Sequence, residues 1–136
     1  MIELESRLIK GNKIFWEIIE NIKPIRKFEF KYINLISNPN ELNLEDKGME
    51  NKLPGTKETV YRLMLRYPMR DVAIIKITNV QTNKEIIKDI IRSYQLVYSI
   101  EYNTQSFGIY GHQLSDLALR SFTIYEGGIM DVGVDS

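Results

Sequence analysis

The single histidine of this 136-residue chain, His112, stands in Gly-Ile-Tyr-Gly-His-Gln-Leu-Ser-Asp. Imidazole is the side chain best suited to carrying a proton near neutral pH. Asp116 follows four residues later, and on one helical turn its carboxylate would orient the ring. Tyr110 and Ser115 add hydroxyls that could serve as proton donor or nucleophile. A small hydrolase or transferase centred on His112, Asp116 and Tyr110 is therefore one reading. The simpler one is that Asp116 caps a turn and Gly111 permits it. Nothing in the sequence fixes a partner for the imidazole, so no residue is assigned as catalytic.

Other chemistries are excluded more firmly. The chain has no cysteine, which removes disulfides, thiolate nucleophiles, iron–sulfur clusters and cysteine-based zinc sites. It contains neither an Asp-x-Asp-x-Asp-Gly calcium loop nor a His-Glu-x-x-His zinc helix, so no metal site is expected. No Gly-x-x-x-x-Gly-Lys-Ser/Thr, Gly-x-Gly-x-x-Gly or Gly-x-Ser-x-Gly motif is present, and no cofactor is implied.

Arg62, Arg66 and Arg70 recur beside Tyr61 and Tyr67. On a strand, Arg62 and Arg66 share a face and could track a phosphate backbone. Tyr61 and Tyr67 then fall on the other face with Leu63 and Leu65, where a core would take them. Eighteen basic and 18 acidic side chains cancel, unlike the basic footprint of a dedicated nucleic-acid binder. Nucleic acid is the least favoured partner.

The charge is unevenly spread, with 13 basic and 10 acidic residues in 1–70 against 5 and 8 in 71–136. Tyr and Trp are favoured interface anchors, and acidic groups speed encounter with a basic partner. Trp16, Tyr110, Asp116, Tyr125, Glu126 and Asp131 are accordingly the candidate partner-binding residues. The expected function is non-enzymatic protein binding, by analogy with bacterial immunity proteins that neutralise a toxin by plugging a basic cleft. Self-assembly into a homo-oligomer fits the same residues. No motif ties the chain to a known family.

The elements that must position these residues follow from periodicity. Ile86, Ile87, Ile90, Ile91 and Tyr94 form a helical stripe, predicting a helix over 83–93. From Gln95 the period turns to two, with Leu96, Tyr98, Ile100 and Tyr102 alternating, which predicts a strand over 95–102. Ile14, Phe15, Ile18, Ile19 and Ile22 predict a helix over 13–22, capped by Asn12 and ended by Pro24. Strands are expected at 2–9, 27–36, 59–67, 72–79, 117–126 and 129–135. Gly127-Gly128 suits a two-residue hairpin turn that sets Tyr125 against Met130 and Thr123 against Val132. Residues 38–57 are polar and read as a long, functional or mobile loop.

Together these elements predict a single α+β domain, a mostly antiparallel sheet of six to seven strands with both helices packed on one face. A chain of this length buries enough surface to fold without metal or disulfides. Its apolar runs are too short for a membrane span. The N-terminal Met-Ile-Glu-Leu-Glu-Ser-Arg lacks the basic-then-apolar pattern of a signal peptide, so a soluble, cytoplasmic protein is expected.

Overall fold

The stripe of isoleucines opens a helix much longer than its spacing first suggests. In the computed structural model, which describes residues 1–104, 107–109 and 111–136 (the side chains of 102–104 excepted), α2 runs from Asn83 to Thr104. Thr82 Oγ1 accepts the Glu85 N–H at 3.2 Å, and Glu85 Oε2 accepts the Gln81 N–H at 3.0 Å. The Thr82 hydroxyl thus caps one of the donors that the first turn leaves without a partner, and Glu85 reaches back to the backbone just before the cap. Ile86, Ile87, Ile90, Ile91, Tyr94 and Val97 are fully buried, each contributing roughly 1.5–3 kcal/mol of transfer free energy.

The strand expected over 95–102 is not formed. Tyr94, Val97 and Tyr98 continue the spacing of Ile87, Ile90 and Ile91, and no proline or glycine interrupts them. Adding residues to a nucleated helix is cheap compared with starting a new element, so the local alternation loses to the longer period.

The sheet has six strands: β1 (Ile2–Leu8), β2 (Pro24–Asn34), β3 (Tyr61–Leu65), β4 (Val72–Ile77), β5 (Ala118–Tyr125) and β6 (Ile129–Asp135). Their order is β1-β4-β3-β6-β5-β2, and every neighbouring pair is antiparallel except β3 with β6. The expected α+β class therefore holds. No helix among the described residues is long and apolar enough to cross a membrane.

The two helices do not share a face, which corrects the expectation above. Leu63, Leu65, Ala73, Ile75, Ile77, Phe122, Ile124 and Met130 pack with the buried side of α2. Met64 and Val72 point the other way, as strand alternation requires. They form a separate cluster with Phe15 of the second helix, α1 (Gly11–Ile19), together with Leu8, Ile18, Ile19 and Ile129. An apolar Met64 on the outer side needs its own cover, and α1 supplies it.

The boundaries of α1 also shift. The helix starts at Gly11, after Lys10 turns through a left-handed φ of 56°, so Asn12 lies inside it instead of capping it. A Cβ on Gly11 would sit 2.7 Å from Val72 Cβ; only glycine lets α1 lie this close to β4. Pro24 begins β2.

The β5–β6 hairpin forms with its register one residue from expectation: Ile124 faces Met130, Thr123 faces Asp131 and Phe122 faces Val132. Glu126, Gly127 and Gly128 all belong to the turn, with both glycines near φ +80°. A three-residue loop moves the pairing by one, and a slip of one exchanges the faces. Here the observed register puts Ile124 and Met130 together in the core. In the 38–57 segment, Leu44, Met49 and Leu53 are buried, and the Met49 and Asn51 carbonyls accept the N–H groups of Lys84 and Asn83.

Candidate partner-docking cleft

The strand directions bring the C-terminal ends of β1, β3 and β6 together with the N-terminal ends of β4 and β5. At this end β1 hands over to α1, β3 enters the turn to β4, and the segment containing His112 enters β5. An open cleft of about 500 Å³ lies among them, lined by Asn12, Trp16, Arg66, Tyr67, Pro68, Met69, Arg70, Gly108 and His112.

Trp16 forms one wall. Its ring meets Phe15 edge to face, with centroids 5.1 Å apart, and 51% of the residue remains exposed. The Arg66 guanidinium lies 4.3 Å from the Phe15 ring centroid and 5.1 Å from that of Trp16. Its Nε and Nη2 donate to the two oxygens of Asp131 at 3.1 and 2.9 Å. This forked, planar pairing is specific to arginine, and it fixes the cation that steadies both rings.

Tyr67 and His112 form the facing wall, their ring centroids 5.5 Å apart. The Tyr67 hydroxyl donates to Ser136 Oγ at 2.9 Å and lies 3.4 Å from His112 Nε2. Helix α2 holds both backbones from the core side. Tyr94 Oη donates to the Tyr67 carbonyl at 2.9 Å, and Tyr98 Oη to the His112 carbonyl at 3.1 Å. Burial raises the pKa of both phenols, to about 12 for Tyr98, and keeps them in the protonated form that donates. The Glu101 carboxylate gathers the N–H groups of Phe107, Gly108 and Ile109 at 2.5, 3.1 and 3.2 Å. This fixes the strip carrying Gly108 against the Arg70 and Asp71 backbones.

Among the residues singled out by sequence, Trp16, Arg66, Arg70 and His112 meet in this cleft. Tyr110 lies outside the described residues. Asp116 does not reach His112: its Oδ2 accepts the Gln113 N–H at 3.2 Å, closing a capping box at the turn before β5. Asp116 and Glu126 are exposed at opposite ends of β5, roughly 25 Å apart at about 3.3 Å per residue. Tyr125 is partly buried beside Glu126, whose N–H bonds to the Lys23 carbonyl. Asp131 is committed to Arg66. The acidic candidates thus form no single patch.

The arginine row is also divided. Arg62 and Arg66 do project from the outer face, but Arg62 is bonded to Glu5 at 2.9 Å and Arg66 to Asp131. Among the described residues no group of three or more His, Asp or Glu side chains converges to hold a metal ion.

A second hollow, of about 460 Å³, lies over β2 and β5 and is lined by Lys27, Glu29, Phe30, Lys31, Tyr32, Arg120 and Ser121. Its charges are mostly paired locally, Lys27 with Glu29 at 3.2 Å and Arg120 with Asp135 at 3.4 Å. We favour the first cleft because it joins Trp, Tyr and Arg, the side chains that dominate binding energy at interfaces.

Sequence reasoning passed over Tyr67, Met69 and Gly108 as contributors. The break between the strands expected at 59–67 and 72–79 was legible, but the approach of Tyr67, Pro68 and Met69 to Trp16 depends on β1 pairing with β4, which no local pattern encodes. Comparison with protein-family models, curated proteins and solved structures finds no match.

Proposed function

We propose that this chain is a non-enzymatic protein-binding module that docks its partner in the cleft beside Trp16. The observation that carries this reading is the exposure of Trp16 and Tyr67, 51% and 40%, on a frame held by Arg66, Tyr94, Tyr98 and Glu101. Fixed aromatic anchors lose little conformational entropy when a partner arrives. Neutralisation of a toxin is the narrower form of this proposal, and it requires a cognate catalytic domain. The hydrolase or transferase reading is weaker. It needs a carboxylate on His112, and Asp116 is turned to its own segment.

Co-expression with the products of neighbouring genes tests the proposal. A stable complex is expected, and Trp16→Ala should weaken it by at least ~2 kcal/mol, as loss of an interface anchor does. Loss of the partner's enzymatic activity in the complex would establish the inhibitor role. A complex indifferent to both Trp16→Ala and Tyr67→Ala would remove the cleft from the account. Ester or phosphoester turnover by the wild-type protein, abolished in His112→Gln, would favour the enzyme instead.

A further inference from the structure

Resting on that docking reading, we propose that the partner segment is acidic, with a carboxylate seated on Arg70 and an apolar neighbour against the Trp16 and Tyr67 rings. Among the described residues no carboxylate lines the cleft, whereas two guanidiniums do. They are not equivalent. Arg66 is occupied by its forked bond to Asp131 and by the Phe15 and Trp16 rings. The Arg70 side chain is 63% exposed, and its Nε lies 3.7 Å from Asp71 Oδ1. Its terminal nitrogens make no hydrogen bond among the described residues.

Asp71 does not cancel this cation. It is 5% exposed beneath Arg70 and shares its charge with Arg7, whose Nε is 3.8 Å away. Gly108 sets the position of the arginine stem: a Cβ there would lie 2.9 Å from Arg70 Cβ, and its φ of +70° suits glycine. The result is a fork of donors held at the cleft mouth with its outer edge open, the shape that a carboxylate accepts at two points. His112 and Asn12 line the same cleft and can donate to the rest of the segment.

The same arrangement selects against other occupants. A basic segment would meet two guanidiniums and no carboxylate. A nucleic-acid backbone draws its affinity from several phosphates contacted in a row; with Arg62 held by Glu5 and Arg66 by Asp131, only Arg70, in looser contact with Asp71 at 3.7 Å, offers open donors among the described arginines of this strand and turn. The aromatic and methionine side chains beside it suit a peptide side chain.

The test is selection of random 12-residue peptides displayed on phage against the intact protein, followed by titration of the most enriched peptide in synthetic form. Enriched sequences should carry Asp or Glu next to an apolar or aromatic residue. Their affinity should fall at least tenfold for Arg70→Glu and for Arg70→Gln, and fall with added salt. Arg70→Glu changes an exposed side chain, and its melting curve checks that the fold is kept. Enrichment of neutral or basic sequences, or affinity unchanged by both Arg70 variants, overturns the acidic assignment while the docking reading stands. No enrichment, with Trp16 emission instead shifted by a single-stranded oligonucleotide, overturns both. No enrichment and no oligonucleotide effect also counts against both.

Discussion

The two faces of the sheet make an instructive contrast. On the inner face, the 22-residue α2 buries isoleucine after isoleucine against the sheet, and even the Tyr94 and Tyr98 hydroxyls are spent on backbone carbonyls. On the outer face, the nine-residue α1 covers a small cluster around Phe15, Met64 and Val72 and leaves Trp16 half in solvent. Comparable side chains thus do different jobs. Tyr94 is sealed and supports the backbone of Tyr67, whose own ring stays at the surface. The contrast teaches that the inner face provides the packed base on which the exposed aromatic rings of the cleft are mounted.

The strongest way to break this contrast is to cut into each side. Ile90→Ala should lower unfolding free energy by about 2–5 kcal/mol, the range for a buried large-to-small change, measured by urea denaturation. A loss below about 1 kcal/mol would mean that α2 is not the structural base.

Raising the pH probes the join between the faces. Burial lifts the Tyr94 pKa above its ordinary value and that of Tyr98 to about 12, with like-charged neighbours adding to the shift. The folded state therefore holds these protons more tightly than the unfolded chain, whose tyrosines titrate near ~10. Their contribution is intact below about pH 10; the Tyr98 share is lost as pH rises through about 12, while the fully buried Tyr94 keeps its proton to higher pH. Tyr98 is partly exposed, so its share is on the order of 1 kcal/mol after solvent screening. Thermal melts from pH 8 to 12 should show the decline, and Tyr98→Phe should flatten it. A profile unchanged by that substitution would detach Tyr98 from the cleft wall.

The smallest stability effect belongs to the surface proposed for binding. Trp16→Ala should cost about 1 kcal/mol, the worth of an aromatic pair, read by the same urea titration. A loss as large as that for Ile90→Ala would make Trp16 part of the core and erase the distinction.

The sequence was most legible where one period dominates. Ile86, Ile87, Ile90 and Ile91 announce α2, and the strands are visible in alternations such as Phe28-Glu29-Phe30 and Tyr61-Arg62-Leu63. It misled where two periods overlap, as over 95–102, where Leu96 and Tyr98 satisfy a strand while Tyr94, Val97 and Tyr98 satisfy a helix. It also misled where an outcome depends on non-local pairing. Met64 and Val72 look like mere interruptions of an alternating strand until α1 is seen to need them. Arg66 reads as a free cation until β6 runs beside β3 and brings Asp131 to it. Trp16 was legible as an anchor, but apart from Asn12 its neighbours in the cleft were not, because they come from segments more than 40 residues away.

Trp16 is the only tryptophan in the chain, so emission excited selectively at tryptophan, past the absorption of the tyrosines, reports on the cleft of this protein. The most direct measurement is its emission spectrum in the free protein and at saturation with the co-expressed partner. Solvent-exposed emission is expected from the free protein and a clear blue shift on complex formation, as the ring is dehydrated. A complex that forms at full occupancy while the Trp16 emission stays unchanged would contradict docking in this cleft.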